Sequence, residues 1–394
     1  MPAMNCFDVS VVGSGAVASG LALALAQLGL QVAITAPPAA RADDVRAFAL
    51  NAASRALLTQ LKVWQALPPD AITAVHDMQV AGDAPRAGIE FSAWQQRVEA
   101  LAWIVDAPAL EAALALALQF APHVQAVSGP VAAALTVWAD GRHSAAHAAD
   151  LSTAAAHAAD LSTSAAHAAA PTATRPHLSR HAYGQTALAA RVVSDTPHQH
   201  TARQWFRAPD VLALLPFDRP QPQHSFALVW SLPTEQANAL QHASTDEFER
   251  ELNLATQASA GNLRLASERA AWPLSLARAE PLCGPGWLLI GDAAHVVHPL
   301  AGQGLNLGLA DVASLAHVIA QREPWRGLGD ERLLHRHVRA RAMPTQAMAQ
   351  LTDGLQQLFA HPQPWARAMR NQGMSLLNHL APIKRALTQH ALDA

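Results

Sequence analysis

Apolar positions along this chain follow two rhythms, and the switches between them outline the elements. "FDVSVVGSGAVASGLALALAQLGLQVAITAP", residues 7–37, predicts a short strand from Val9 to Val12 and then a glycine turn. A helix to about Leu28 follows, with Gly29 as its C-cap, and then a second strand from Gln31 to Thr35. This is a strand-helix-strand opening. Helical spacing returns in "NAASRALLTQLKVWQAL" and "APALEAALALALQF", whereas "AITAVHDMQVAG" and "AGIEFSA" alternate like strands. From about Tyr183 to Leu232 the segments "TALAARVV", "ARQWFRA", "VLALLPF" and "SFALVWSL" predict an antiparallel sheet.

"STDEFERELNLATQ" is a capped helix, its start bracketed by Thr245 and Glu247 or Phe248, with acidic residues in the first turn. "GWLLIGD" is a further buried strand. After Gly302 the pattern is mainly helical, with breaks expected at Pro324, Pro344, Pro362, Pro364 and Pro382.

Composition narrows the classes. A length of 394 residues suggests two or three domains, and 51% hydrophobic residues can bury a sizeable core. The formal net charge of -3, with no dense Lys/Arg run, excludes a nucleic-acid footprint. Cys6 and Cys283 have neither metal nor disulfide spacing and read as structural thiols in a reducing compartment. No residue from Val9 to Ala40 is charged, yet glycines and Gln27 break that run and no basic residue precedes it. A soluble, cytoplasmic chain is expected.

"SAAHAADLST" from Ser144, "AAAHAADLST" from Ala154 and a truncated "SAAHAA" from Ser164 repeat every ten residues. They space His147, His157 and His167 evenly, but a duplication in a surface segment explains them better than a metal site or a solenoid.

The chemistry starts at "GSGAVA", residues 13–18, a G-x-G-x-x-G/A pattern between a strand and a helix. Gly13 allows the tight turn, Gly15 lets a pyrophosphate approach the backbone, and Ala18 is small enough for helix–strand packing. Phosphate at such a helix start meets unpaired N–H groups and a favourable dipole. An acidic residue is expected to end the second strand and hold a ribose, but Thr35 or Ala36 stands there, and Asp43 and Asp44 lie beyond two prolines.

"GDAAHVVHPLAGQGLNLGLAD", residues 291–311, puts Asp292 just past a buried strand, placed to accept hydrogen bonds from sugar or ribityl hydroxyls. Gly302 and Gly304 let backbone N–H groups at the next helix start approach a flat ring that becomes anionic, such as reduced flavin. His295 and His298 form an i,i+3 pair, but no third metal ligand is suitably spaced.

Together with "DVRAFALNAASRALLTQLKVW", "LAWIVDAPALEAAL", "ARQWF" and "LALLPF", these motifs resemble the flavin-dependent aromatic hydroxylases of ubiquinone biosynthesis, the UbiH/UbiF/VisC type of class A flavoprotein monooxygenase. The resemblance covers nearly the whole chain. It implies a para-hydroxybenzoate-hydroxylase-like α/β fold: a Rossmann-like FAD-binding domain, an antiparallel-sheet substrate domain and a helical C-terminus. The implied FAD domain comprises residues 1–70, 101–182 and 276–325, with the repeat at 144–169. Residues 71–100 and 183–275 form the substrate-covering sheet, and 326–394 the helical region.

By the same resemblance Gly13, Gly15 and Ala18 hold the FAD pyrophosphate, Arg46 reaches FAD, and Asp292 binds its ribityl or pyrophosphate region. Pro299, Ala301, Gly302, Gln303, Gly304 and Asn306 line the isoalloxazine. No metal and no acid–base residue is implied, because the chemistry belongs to a flavin hydroperoxide that transfers its distal OH to a phenol ring, with NAD(P)H as electron donor. Leu214, Pro216 and Phe217 would belong to the substrate wall, or to an ordinary core strand. The implied substrate is a polyprenylated phenol, with a ubiquinone-biosynthesis complex and peripheral contact with the inner membrane as expected associations. Two alternatives stay open: a hydroxylase of another aromatic compound, and a catalytically attenuated member acting as an assembly subunit.

The second alternative arises from the middle of the chain. The family carries a "GADGxxSxxR" motif about twenty residues before the tyrosine and glutamine matched by Tyr183 and Gln185; "ADGRHS", Ala139 to Ser144, lies some forty residues before Tyr183. Either "ADGRHS" is that motif, with His147 replacing its arginine and the repeat inserted, or it is a β-hairpin with Asp140-Gly141 at the turn and "LSTSAAHAAA" in the motif position. Spacing favours the hairpin.

Overall fold

Uncharged, branched side chains with no alternation belong to strands buried on both faces, and such strands form the centre of a parallel sheet. The computed structural model describes residues 7–35, 44–82, 88–142, 144, 176–207, 209–296 and 303–360. β1 (Phe7–Val12), α1 (Ala16–Gln27) and β2 (Val32–Thr35) build the expected opening. β3 (Ala47–Leu50), α2 (Ala52–Gln60), β4 (Ile72–Val75), β5 (Asp77–Ala81), β6 (Gly88–Ser92), α3 (Ala93–Gln96) and β7 (Ala102–Asp106) follow. Next come α4 (Ala107–Gln119), β8 (Val124–Val127) and β9 (Ala133–Trp138).

The middle of the chain runs through β10 (His177–Ser194), β11 (Thr201–Arg207), β12 (Asp210–Phe217), β13 (Ser225–Pro233), α5 (Thr234–His242), α6 (Thr245–Thr256), β14 (Leu263–Leu265) and β15 (Ala270–Glu280). β16 (Cys283–Gly284), β17 (Trp287–Leu289), β18 (His295–Val296), α7 (Gln303–Ala320) and α8 (Glu331–Ala360) complete it.

Three sheets result. One has the order β16-β17-β9-β1-β2-β8, all neighbours parallel except β16 with β17. A nine-stranded sheet runs β18-β15-β10-β13-β12-β11-β5-β6, with β14 beside β10. A small antiparallel sheet, β3-β7-β4, completes the set. β5 and β6 join the nine-stranded sheet from the earlier segment, and its central part starts with β10 at His177.

The first core packs α1, α4 and α7 against the parallel sheet through Leu21, Leu25, Leu110, Leu114, Val312 and Leu315. A Cβ on Gly308 of α7 would lie 2.5 Å from Val17 Cγ2, so that glycine lets α7 pack closely against the start of α1. The second core lies between one face of the nine-stranded sheet and α5 and α6, where Leu188, Leu214, Leu228 and Trp230 meet Leu240, Phe248 and Leu252.

Three local expectations are corrected. The cap of α6 is Ser244, whose Oγ accepts from Glu247 N at 3.2 Å, so Thr245 is already helical. α8 continues through Pro344, whose ring removes one donor without ending the helix.

The third concerns Asp140-Gly141, which is not a hairpin turn. β9 is flanked by parallel β1 on one edge and parallel β17 on the other, leaving no edge for a returning strand. Spacing along the chain carries no information on which strands flank β9. Arg180 Nη2 donates to Arg142 O at 3.2 Å, so β10 meets the segment that follows β9. The repeat histidines and the other expected proline breaks, Pro362, Pro364 and Pro382, lie outside the described residues; Pro324 falls between α7 and α8.

Candidate functional site

Four adjacent parallel strands end side by side, and the sequence-predicted residues gather there. Thr35 ends β2, Gly13 and Gly15 follow β1, Asp140 and Gly141 follow β9, and Asp292 follows β17 in a short 3-10 turn. Ala139 N donates to Val12 O at 2.7 Å and Ile290 N to Trp138 O at 3.0 Å, lacing the three central ends together. A crevice beyond the carboxyl ends of parallel strands is where open α/β sheets bind ligands.

Gly13 has φ +135°, and a Cβ there would lie 2.4 Å from Ala139 O; only glycine fits between the ends of β1 and β9. At Gly15 the opposite holds, since a Cβ would meet nothing within 4 Å. Gly15 caps α1 without any side-chain cap, no acidic residue occupies the first turn, and Ala18 is fully buried against the sheet. The helix start is therefore open to an anion. Thr35 Oγ1 is shielded from solvent and has no hydrogen-bond partner among the described residues. A ribose hydroxyl in the expected place would satisfy it. These features fit an FAD diphosphate and ribose; Ala36 and Asp43 lie outside the described residues.

On the other flank, the start of α7 approaches Asp292: a Cβ on Gly304 would lie 3.9 Å from Asp292 Oδ1. Arg142 Nη2 lies 3.7 Å from Asp292 Oδ2, with both side chains more than a third exposed. Asn306 is buried; its Oδ1 accepts from Asn51 N (3.0 Å) and Ser54 Oγ (2.8 Å), and its Nδ2 donates to Ala49 O (2.8 Å). Its side chain thus ties α7 to β3 and α2. Gln303 begins α7, while Pro299, Ala301, Gly302 and His298 fall outside the described residues.

Behind Asp292 is a cluster whose role the sequence did not disclose. Asp311 Oδ2 accepts from Gly291 N at 3.0 Å and from His295 Nε2 at 2.9 Å, while its Oδ1 accepts from Arg341 Nε at 2.7 Å. Burial opposes ionisation of Asp311, but His295 and then Arg341 hold its carboxyl far below the usual carboxylate range. Burial likewise opposes charge on His295, yet Asp311, with a smaller contribution from Asp292, raises the imidazole overall. Burial pushes His337 down to about 4, keeping that ring neutral beside Arg341. Asp311 thus fixes the turn that carries Asp292. Among the described residues no group of histidines, cysteines and carboxylates could hold a metal.

Arg46 precedes β3, its Nε donating to Asp44 Oδ1 at 2.9 Å and its Nη2 to Glu111 Oε1 at 3.1 Å. Its side chain is 44% exposed, leaving it accessible to a ligand that competes with those carboxylates.

The substrate-wall expectation needs correction. Leu214 pairs with Leu228, and Pro216 with Phe226, on the face covered by α5 and α6. Phe217 is on the opposite face but fully buried, with the Arg191 guanidinium 4.1 Å from its ring centroid. Part-exposed Ala213, Leu215 and Val229 share that opposite face, where Leu215 packs towards Val75, Leu101 and Ile104. In "VLALLPF" both faces are apolar, so strand alternation could not tell them apart.

The chain is similar to known proteins along nearly its whole length. It is 28% identical over 396 residues to the uncharacterized protein slr1300 of Synechocystis sp., covering 97% of this chain and 92% of that one. It is also 28% identical over 407 residues to 3-demethoxyubiquinol 3-hydroxylase of Escherichia coli, covering 98% of each. Among solved structures, p-nitrophenol 4-monooxygenase PnpA from Pseudomonas putida superposes with a TM-score of 0.72 at 15% identity, covering 98% of this chain and 97% of that one; this likeness concerns the fold. The family model described as an FAD binding domain matches residues 6–352, so the chain belongs to that FAD-binding family.

Proposed function

We propose that this protein is an FAD-dependent monooxygenase that hydroxylates the aromatic ring of a polyprenylated phenol in ubiquinone biosynthesis. The observation that carries this reading is the crevice at the ends of β2, β1, β9 and β17, where Thr35, Gly13, Gly15 and Asp292 gather in a form that fits FAD; the part-exposed apolar Ala213, Leu215 and Val229 on one face of the nine-stranded sheet support an apolar substrate. The printed name of the Escherichia coli relative supports the substrate class. When bound, FAD supplies the redox chemistry, taking electrons from NAD(P)H and passing them to oxygen.

The chain's own residues bind and orient. Gly13, Gly15 and the start of α1 take the diphosphate, Thr35 a ribose hydroxyl, and Asp292 with the start of α7 the flavin end. Arg46 adds a positive charge. The sheet face excludes water from the reacting ring and holds it in position. A substrate with a long apolar tail implies peripheral docking at a membrane or in a biosynthetic complex. Among the described residues no helix is long and apolar enough to cross a membrane.

Purified protein supplied with FAD is expected to show a flavin visible spectrum and to oxidise NAD(P)H faster with a prenylated phenol than with a soluble aromatic acid. A spectrum without flavin absorbance removes the enzymatic reading; stimulation by the soluble acid alone removes the substrate assignment.

Thr35→Val keeps shape and removes the hydroxyl. Loss of one neutral hydrogen bond should weaken FAD binding about fivefold to tenfold, measured by quenching of flavin fluorescence. Unchanged affinity would mean that the ribose is held elsewhere.

A further inference from the structure

Arg191 is an ionised side chain within the apolar run Ala187–Val193 of a long strand. It lies in β10 of the nine-stranded sheet and is 7% exposed. Its Nη2 donates to Arg46 O at 2.6 Å and to Asp106 Oδ1 at 2.8 Å. Phe217 covers its guanidinium from one side. Nη1 is buried with no hydrogen-bond partner among the described residues. Burial lowers the guanidinium to about 10, so it remains charged at neutral pH.

Neutralising Asp106 does not by itself require Arg191. Asp106 Oδ2 also accepts from Arg219 Nη1 at 3.1 Å, and Arg219 is held in turn by two 2.8 Å bonds to Asp70. What Arg191 adds is the bond to the Arg46 carbonyl. That carbonyl accepts a second bond from Ala107 N at 3.2 Å, which fixes the backbone of residue 46 between β10 and the β7–α4 junction. A strand of the substrate sheet therefore grips the segment that presents the Arg46 guanidinium. A buried charge is costly to maintain, and an apolar side chain would fill the same space at less desolvation cost.

We propose that Arg191 is a positioning residue which, through the Arg46 carbonyl, sets where the Arg46 guanidinium meets FAD and so couples the substrate sheet to the cofactor. This rests on the reading that Arg46 contacts FAD.

The test uses the full chain with Arg46→Ala, Arg191→Met, Arg191→Lys and the Arg46→Ala/Arg191→Met double variant. FAD affinity, the shape of the bound-flavin visible bands and thermal midpoint are measured for each. Arg191→Met should weaken FAD binding about tenfold and alter the flavin bands. Arg191→Lys, whose ammonium can donate to both oxygens, should restore affinity to within about twofold. The double variant should bind little more weakly than Arg46→Ala alone.

If Arg46→Ala leaves affinity unchanged, the reading of Arg46 fails and the proposal with it. If Arg46→Ala weakens binding while Arg191→Met lowers only the thermal midpoint, Arg191 is a structural tie and the positioning role alone is overturned. Additive losses overturn it as well. Should Arg191→Met not fold, Arg191→Gln, which keeps an amide donor without charge, takes its place in the same comparison.

Discussion

Asp311→Ala should cost about 3–5 kcal/mol of folding stability, the range for removing one partner of a buried ion pair. The carboxylate receives Gly291 N, His295 and Arg341 together, so its removal leaves a largely buried guanidinium without its counter-charge and a backbone N–H unpaired. Urea unfolding of the FAD-free protein measures the loss, and a change below about 1 kcal/mol would place the site among weakly coupled surface pairs. FAD binding should weaken in parallel, because the Gly291 bond holds the turn that presents Asp292.

Asp311 is shifted down, so its contribution is in place above its unfolded value and is lost as pH falls through the folded one. His295 is shifted up, so its contribution is complete below its unfolded value and is lost as pH rises through the folded one. The stability gap between wild type and Asp311→Ala is therefore widest between about pH 4 and pH 6.5 and narrows on either side.

Gly13→Ala is the second large effect. A left-handed φ alone costs a non-glycine residue about 1–3 kcal/mol, and the added methyl would also lie 2.4 Å from the Ala139 carbonyl oxygen. Backbone on both sides prevents cheap relief, since Ala139 N is already bonded to Val12 O. Loss of FAD binding and of about 3 kcal/mol or more is expected, read from flavin fluorescence and the urea midpoint. Gly15→Ala offers a contrast within the same loop. It meets no protein atom, so it should leave the FAD-free fold intact and impair only FAD binding.

Much of this site was legible because its signals are local. The first strand, the glycine turn and α1 lie within one short stretch, as do Asp292 and the start of α7, and periodicity together with glycine spacing located both. Three features resisted for different physical reasons. Spacing points to a hairpin at Asp140-Gly141, and only the two parallel neighbours of β9 exclude it. Which face of β12 packs on the helices was hidden because the apolar run from Val211 to Phe217 carries no alternation.

Arg191 did give a signal, a lone charge within "TALAARVV". Its meaning depends on Asp106 and Arg46, which are 85 and 145 residues away along the chain. Partners at such separations come from topology, and no local pattern encodes them.

The bond between Arg180 and Arg142 brings together two residues that flank the decapeptide array along the chain. Loop entropy varies only with the logarithm of length, so gaining or losing one ten-residue unit changes closure by about a few tenths of a kcal/mol. Copy number in this array can therefore drift by in-frame slippage almost invisibly to folding. Length variation among close relatives, if it accumulates anywhere, should accumulate there in steps of ten.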